Sequence, residues 1–226
     1  MNERPNNAKA LQRRYFLAGA AGTVLAPLAV AQTSALRISP SQTLGPFYPR
    51  NAGERPSETD ADLLRVEDNR VLTKGVPIYL TGRVLDRRGQ ALANAAVEIW
   101  QCDANAVYHH PAGGAETERD PHFQGYGVAR TDGAGAFHFR TIKPIAYPGR
   151  TPHIHVRVQA TGASAFATQL YLADDPGNRR DFLFSRMSAD EQAALTLKFE
   201  PTTVAGAPHA LARATQLIAR AELVIA

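Results

Sequence analysis

Residues 147–158 read Tyr147-Pro148-Gly149-Arg150-Thr151-Pro152-His153-Ile154-His155-Val156-Arg157-Val158. In a β-strand, residues two apart point to the same face. The alternation therefore predicts that His153 and His155 project side by side, and that the apolar residues between and after them point into a core. A phenol and a guanidinium lie on the turn just before this strand. Two imidazoles beside a tyrosine indicate a metal site with oxygen as well as nitrogen ligands.

Short alternating runs continue on both sides of this stretch, with turns such as Asp86–Gly89 and Thr131–Gly133 between them. The predicted strands fall at residues 78–84, 95–100, 137–139, 153–159, 166–172 and 195–199. Strands at this spacing are typical of an all-β fold, an antiparallel β-sandwich of the immunoglobulin or transthyretin type. Little helix is expected: one segment at 188–195 and a short turn at 60–66. A closing strand is predicted within 211–225.

Residues 1–31 have the pattern of an export signal. A basic stretch containing Arg13-Arg14 is followed by Phe16-Leu17, a mildly apolar run and Ala29-Val30-Ala31, which fits a cleavage site before Gln32. The paired arginines resemble a twin-arginine signal. We therefore expect a bacterial protein that is exported to the periplasm or outside the cell, without a membrane anchor after cleavage. Residues 32–75 are predicted to form an extended N-terminal arm, and residues 76–226 a catalytic β-sandwich domain.

The composition narrows the range of functions. The chain has 226 residues, 44% of them hydrophobic, which fits one globular domain with an arm. The first 31 residues hold four basic residues and one acidic residue; removing them from the totals of 25 and 21 leaves 21 basic and 20 acidic residues. A nearly neutral domain gives no electrostatic basis for binding nucleic acid. The single cysteine, Cys102, cannot form an intrachain disulfide and is expected to be a small buried residue.

The donor types favour one metal over another. Catalytic zinc sites usually use three histidines, or histidines with a carboxylate or a cysteine, and no Asp or Glu lies within several residues of His153 and His155. Tyrosinate is a hard, anionic donor that favours a highly charged cation such as Fe(III). A second phenolate must then come from elsewhere. Tyr108 is the main candidate because it follows the strand that ends near Trp100, and Tyr126 is a competitor.

Several motifs stand in order along the chain: Thr43–Pro49, Val97–Gln101 with Tyr108, Gly125–Gly127, Thr131–Gly133 and Thr141–Pro144, leading into Tyr147, Arg150 and His153-Ile154-His155. Together they resemble the intradiol ring-cleavage dioxygenases, the family of protocatechuate 3,4-dioxygenase and catechol 1,2-dioxygenase. Each motif alone is weak, but their order is specific. The resemblance covers roughly residues 41–175.

The resemblance implies a site with one Fe(III) per chain. Tyr108 and His153 would be equatorial ligands, and Tyr147 and His155 axial ligands. Tyr147 would leave the iron when the substrate chelates. Arg150 would stabilise negative charge that develops on the substrate ring, and Gln169 would stand beside the oxygen site. The implied reaction cleaves a catecholic ring with O2 between its two hydroxyl-bearing carbons and gives a cis,cis-muconate-type diacid.

The sequence departs from well-known members of that family in two ways. Only Pro148 and Gly149 separate Tyr147 from Arg150, where those members carry a longer insertion with an aromatic residue, so a more open substrate pocket is expected. Because only a short stretch precedes the predicted sandwich, we do not expect the helical dimerisation domain of the catechol enzymes, which favours the shorter protocatechuate-like group. Segment 43–49 resembles an arm that lines the site in that group, either its own site or a neighbour's.

Other readings compete with this one. The histidines could be surface residues, Arg150 a structural ion-pair partner, and Tyr108 a loop anchor; Trp100 and Tyr126 are expected to pack, and His109 and His110 to be loop residues rather than ligands. At the level of function, the alternatives are an exported, metal-free binding module and a zinc hydrolase. The substrate stays open among protocatechuate, catechol, hydroxyquinol and lignin-derived catechols. Open sheet edges and the arm favour association into a homo-oligomer.

Overall fold

A computed structural model describes residues 35–64, 73–202 and 215–226 of the chain. They form nine β-strands, one short α-helix and four short 3-10 helices. The strands are β1 (Pro77–Asp86), β2 (Ala96–Trp100), β3 (Tyr126–Arg130), β4 (Ala136–Ile142), β5 (His153–Gln159), β6 (Phe166–Leu172), β7 (Thr196–Leu197), β8 (Phe199–Pro201) and β9 (Leu217–Ile225). The α-helix, α1, is Ala189–Ala194, and the 3-10 helices are Ala52–Glu54, Glu116–Glu118, Pro176–Arg180 and Phe184–Arg186. The predicted all-β fold with little helix is confirmed.

The strands form two sheets that share one apolar core. One sheet has the order β4-β1-β9-β8 and the other the order β3-β2-β5-β6-β7. Most pairs are antiparallel as predicted, but β1 pairs with β9 and β6 pairs with β7 in parallel, so both sheets are mixed. The final strand runs between β1 and β8, beside a strand more than a hundred residues earlier. Local alternation cannot specify such a long-range neighbour.

Strand β5 follows the predicted alternation. Ile154, Val156 and Val158 are completely buried in the core between the sheets. His153 and His155 point to the opposite face of the same sheet, where they are also buried. The outer face of this sheet is therefore covered rather than solvated, and the cover comes from the N-terminal arm and from the loop after β2.

Of the helical turn predicted at 60–66, the structure describes residues 60–64, which form no helix; Leu63 and Leu64 form a turn. Asp62 forms an isolated bridge with Arg140 of β4, and its carboxylate accepts two hydrogen bonds from the Arg140 guanidinium, at 2.7 and 2.6 Å. These contacts hold the backbone against the sheet edge instead of letting it coil. The helical turn of the arm lies earlier, at Ala52–Glu54, where the Asn51 side chain caps it.

The C-terminal part agrees with the sequence except at one strand. Helix α1 begins after Ser188, which forms a reciprocal capping box with Glu191. The predicted strand at 195–199 is divided into β7 and β8, which belong to different sheets. The predicted closing strand is confirmed as β9, although residues 211–214 lie outside the described residues.

The described residues fall in one compact unit, Thr33–Ala226. The predicted export signal at 1–31 lies outside the described residues, and the boundary between arm and domain at 75 stays a prediction. In the ranges that the structure does describe, no helix is long and apolar enough to cross a membrane.

Truncating Ile154 tests the alternation of β5. Because its side chain is fully buried, Ile154→Ala should lower the free energy of unfolding by about 2–5 kcal/mol, and Ile154→Val by about 0.5–1.5 kcal/mol. Urea denaturation monitored by circular dichroism measures both changes. Equal effects of the two substitutions would contradict the placement of this residue in the core.

Candidate metal centre

The two predicted ligand histidines lie side by side at the start of β5. Their Nε2 atoms are 3.2 Å apart, and both residues are only 2% exposed. The Nδ1 atom of His153 is 2.7 Å from the carbonyl oxygen of Thr151. Only a protonated nitrogen can bond to a carbonyl, so Nδ1 carries the proton and Nε2 presents a lone pair. This nitrogen is therefore arranged as a metal ligand.

Packing rather than hydrogen bonding orients the second histidine. The ring of His155 stacks on Trp100, with centroids 4.7 Å apart and planes 8° apart. Gly45 of the arm lies close to the same ring: its φ of +73° favours glycine, and a Cβ at this position would come within 3.3 Å of His155 Cε1. Trp100 is thus a buried packing residue as expected, and its ring also contacts His155, one of the predicted ligands.

Tyr108 reaches the same place from the loop after β2. Its hydroxyl oxygen lies 3.4 Å from His153 Nε2, and the residue is 3% exposed. Phe47 of the arm stacks on the Tyr108 ring at 4.2 Å between centroids. The loop brings the phenol to the histidines across 45 residues of sequence.

Tyr147 approaches from a tight turn. The Arg150 N–H donates to the Tyr147 carbonyl at 3.0 Å, with Pro148 and Gly149 at the two central positions and a φ of +85° at Gly149. This arrangement is typical of a type II turn. It places the Tyr147 ring 5.5 Å from that of Tyr108 and 5.6 Å from that of His153, between centroids. Unlike Tyr108, Tyr147 is only half-buried.

The competing residues lie elsewhere. The hydroxyl of Tyr126 donates to Glu98 at 2.9 Å and not toward the histidines, so Tyr126 packs as expected. His109 is paired with Asp103 at 3.3 Å, and Nε2 of His110 lies 3.5 Å from Glu54. Cys102 is 1% exposed, and burial raises the pKa of its thiol to about 12. None of these four side chains is arranged as a further ligand.

Arg150 and Gln169 stand beside the ligand set. Nη1 of Arg150 lies 3.3 Å from His153 Nε2, and Nη2 donates to Gln169 Oε1 at 2.6 Å. The third contact, from Nε to the carboxylate of Asp181 at 2.7 Å, is a buried ion pair. Arg150 therefore forms a structural ion pair with Asp181 and also contacts His153 of the candidate metal centre. Burial alone would lower the pKa of Arg150, but the hydrogen bond and charge of Asp181 outweigh it and raise that pKa.

The arm lines the site of its own chain. Besides Gly45 and Phe47, Tyr48 packs on Trp100 at 4.9 Å and donates to the buried carboxylate of Glu98 at 2.8 Å. Gln42 accepts a hydrogen bond from Tyr171 at 2.7 Å, next to Gln169 on the same face of β6. Segment 43–49 therefore closes the centre over the two histidines.

The four predicted ligands carry no charge when no cation is bound. Burial lowers the pKa of His153 to about 4, and it lowers the pKa of His155 well below its usual value, each helped by neighbouring positive charge. Burial also raises the pKa of Tyr108 well above 10 and raises that of Tyr147. Neutral imidazoles are ready to bind metal, whereas buried phenolates require a compensating positive charge.

This donor set fits a highly charged cation better than zinc. In the described part of the chain, no group of three or more His, Cys, Asp or Glu side chains is arranged to hold a metal. A metal bound between the two Nε2 atoms would depend on the tyrosine oxygens. Hard phenolate donors with two imidazoles suit Fe(III).

Comparison with known proteins agrees with this geometry. A family model described as dioxygenase (Dioxygenase_C) matches residues 44–213, which include both tyrosines and both histidines. The chain belongs to this dioxygenase family. The family predicted from the sequence is thereby confirmed.

Two curated relatives are similar to part of the chain. The protocatechuate 3,4-dioxygenase beta chain of Burkholderia cepacia is 36% identical in an alignment of 149 residues that covers 56% of this chain and 63% of the relative. The hydroxyquinol 1,2-dioxygenase of Rhizobium sp. (strain MTP-10005) is 32% identical in an alignment of 164 residues that covers 65% of this chain and 52% of the relative. The chain thus matches less than two thirds of the length of either relative.

Solved dioxygenase structures share the fold. The dioxygenase domain of a dioxygenase and carbohydrate-binding protein fusion from Streptomyces sp. SirexAA-E has a TM-score of 0.60 and 27% identity. It matches 84% of this chain over 98% of its own length. An intradiol ring-cleavage dioxygenase from Tetranychus urticae has the same TM-score at 23% identity, with 84% and 94% coverage, and supports the fold.

Asp181 belongs to this centre although the sequence does not indicate it. It lies 28 residues beyond His153, at the end of the 3-10 helix Pro176–Arg180, with no periodic pattern around it. An isolated aspartate in a polar loop is common, and nothing in the sequence marks this one as buried.

Proposed function

We propose that this protein is a non-haem Fe(III) intradiol dioxygenase that cleaves a catecholic ring between its two hydroxyl-bearing carbons. The observation that carries the proposal is the convergence of Tyr108, Tyr147, His153 and His155 in one buried cluster. Their ring centroids lie between 4.8 and 6.1 Å apart in each measured pair. The relatives named as intradiol-type dioxygenases support the reaction, and the residue chemistry supports the metal.

In this proposal Tyr108, Tyr147, His153 and His155 hold one Fe(III) per chain. When bound, the ferric ion supplies the redox chemistry through which a catecholate and O2 react. The protein contributes orientation and electrostatics. The buried phenolates need a compensating positive charge. Among the described residues, Arg150 is the one that provides such a charge at both tyrosines, and a trication would supply the rest.

The two tyrosines take different roles because their exposure differs. Tyr108 is buried beneath Phe47 and serves as a permanent ligand. Tyr147 is half-buried on its turn, beside Arg150, where a substrate can reach it. Its oxygen is the proposed base for one of the two protons that a catechol loses on binding. Burial raises the pKa of Tyr147, and the charge and hydrogen bond of Arg150 oppose this shift and favour the phenolate form that the role requires.

Arg150 and Gln169 act on the substrate side. The Nη1 atom of Arg150 points toward His153, so it can stabilise negative charge that develops on a ring bound there. Gln169 shares a hydrogen bond with Arg150 and stands at the proposed oxygen side. The arm residues around His155 exclude water, which strengthens these electrostatic effects.

The assay that tests the proposal is oxygen uptake by iron-loaded protein over protocatechuate, catechol, hydroxyquinol and a lignin-derived catechol. We expect uptake with at least one of them and a muconate-type diacid as product. Resorcinol, whose hydroxyls are not adjacent and cannot chelate, is the matched control and should give none. Colourless, iron-free protein after expression with iron, or no uptake across the panel, would contradict the proposal and favour a metal-free binding module.

Three Tyr→Phe variants make the same chemical change at different places. Tyr147→Phe should retain iron, shift the red-brown phenolate-to-iron absorption and lower kcat by roughly 100-fold, the scale of a lost acid–base group. Tyr108→Phe should lose most of its iron. Tyr79→Phe is the control, because its hydroxyl bonds to His138 within the other sheet, and it should retain colour and rate. An unchanged spectrum and rate in Tyr147→Phe would refute its role.

We also propose that the chain is exported by the twin-arginine route, on the basis of residues 1–31. This route carries folded proteins, which suits acquisition of the metal before export. Replacing Arg13 and Arg14 together by lysine in the full chain should leave the protein in the cytoplasm at its full mass. The unchanged chain should appear in the periplasm or medium, shortened by cleavage after Ala31. Cytoplasmic retention of both proteins would overturn this proposal.

A further inference from the structure

Asp181 is held rigidly by the backbone on two sides. Its Oδ1 atom accepts hydrogen bonds from the N–H groups of Leu183 and Phe184, both at 3.0 Å. Its Oδ2 atom accepts from the N–H of Thr151 at 3.1 Å. The side chain is completely buried. The carboxylate therefore joins the turn before β5 to the turn after Pro176–Arg180 and has a fixed position.

The same carboxylate holds one edge of the Arg150 guanidinium. Nε of Arg150 donates to Asp181 Oδ2 at 2.7 Å, while Nη2 donates to Gln169 Oε1 at 2.6 Å. Because a guanidinium is planar, two such contacts fix its orientation. The remaining group, Nη1, then faces His153 Nε2 at 3.3 Å. The ring of Phe182 lies over the guanidinium, 5.2 Å from centroid to Cζ.

We propose that Asp181 is the positioning residue that directs Nη1 of Arg150 to the metal centre. This inference rests on the proposed function, because it concerns the arginine of that reaction. Asp181 does not touch the cluster itself; among the described residues, Arg150 is the one side chain that hydrogen-bonds to its carboxylate. Arginine stays protonated with or without this partner. Asp181 therefore determines the position of the Arg150 guanidinium and not its charge.

Loss of the Asp181 carboxylate should allow the long side chain of Arg150 to move. Gln169 would then be the remaining hydrogen-bond acceptor that holds the guanidinium at the site, and one contact does not fix its rotation. Misplacement of a catalytic group by about 1 Å can lower the rate by about 100-fold. The effect should appear in kcat more than in iron content, because Tyr108, Tyr147, His153 and His155 keep their own supports.

The test compares Asp181→Asn with Asp175→Asn in iron-loaded full chains. Both residues accept hydrogen bonds around Thr151, but Asp175 bonds to the Thr151 hydroxyl and the Gly177 N–H and does not touch Arg150. Asp181→Asn should lower kcat by roughly 10- to 100-fold, with unchanged iron content and colour. Asp175→Asn should stay within about twofold of the unchanged protein. Equal losses in the two variants would overturn the proposal.

A double-mutant cycle separates positioning from general damage. In an Arg150→Ala background, Asp181→Asn should change kcat by no more than about twofold, because the partner through which it acts is gone. The same large loss in both backgrounds would show a merely structural role. If Asp181→Asn does not fold, Asp181→Ser replaces it, since serine still accepts from the N–H groups of Leu183 and Phe184.

Crystal structures of the two aspartate variants provide a readout that does not need activity. The Arg150 guanidinium should leave its place beside His153 in Asp181→Asn and keep it in Asp175→Asn. An Arg150 that stays in place in both variants would refute the positioning role. Because this measurement is independent of turnover, a protein without dioxygenase activity would refute the proposed function while the role of Asp181 is still decided.

Discussion

The two-residue period of β5 ties the metal centre to the hydrophobic core. Ile154, Val156 and Val158 must face the core, so His153 and His155 must face the other way. A shift of one residue would place the apolar side chains outside and both imidazoles inside, at a large free-energy cost. Burial of ordinary aliphatic side chains thus holds the two ring nitrogens together before any metal contributes.

The register of that strand also selects the neighbours of the histidines. His155 lies opposite Trp100 on β2 and opposite Gln169 on β6, while His153 lies opposite Tyr171. Directly opposed residues share a face and touch. The pairing of β5 with β2 therefore supplies the Trp100 ring that orients His155, and its pairing with β6 supplies the Gln169 amide that bonds to Arg150. The centre is built from the sheet itself, and loops add the tyrosines and the arginine.

Much of this arrangement could be predicted because it is local. The bounds of β5 and β6 follow from alternation alone, and the turn Tyr147–Arg150 follows from Pro-Gly. Tyr108 was a candidate because it follows the strand that ends near Trp100, but its contact with His153 through a long loop is not a matter of periodicity. Asp181 and the parallel pairing of β9 could not be predicted, because each depends on contacts between distant segments. No helix forms at residues 60–64, where Asp62 pairs with Arg140 of β4, a long-range contact that local propensity does not include.

The arm encloses the centre through one buried carboxylate. Glu98 on β2 accepts hydrogen bonds from Tyr48 of the arm, Tyr126 of β3 and Arg157 of β5, so one buried carboxylate fastens the arm to three strands. Once Tyr48 is held, the adjacent Phe47 lies on Tyr108, and Gly45 lies against His155. A buried carboxylate with three donors is stable only while all of them are present, because an unpaired charge in that position is costly. Closure of the arm and integrity of the outer sheet face are therefore coupled, and the dry environment that raises the pKa of Tyr108 is a consequence of both.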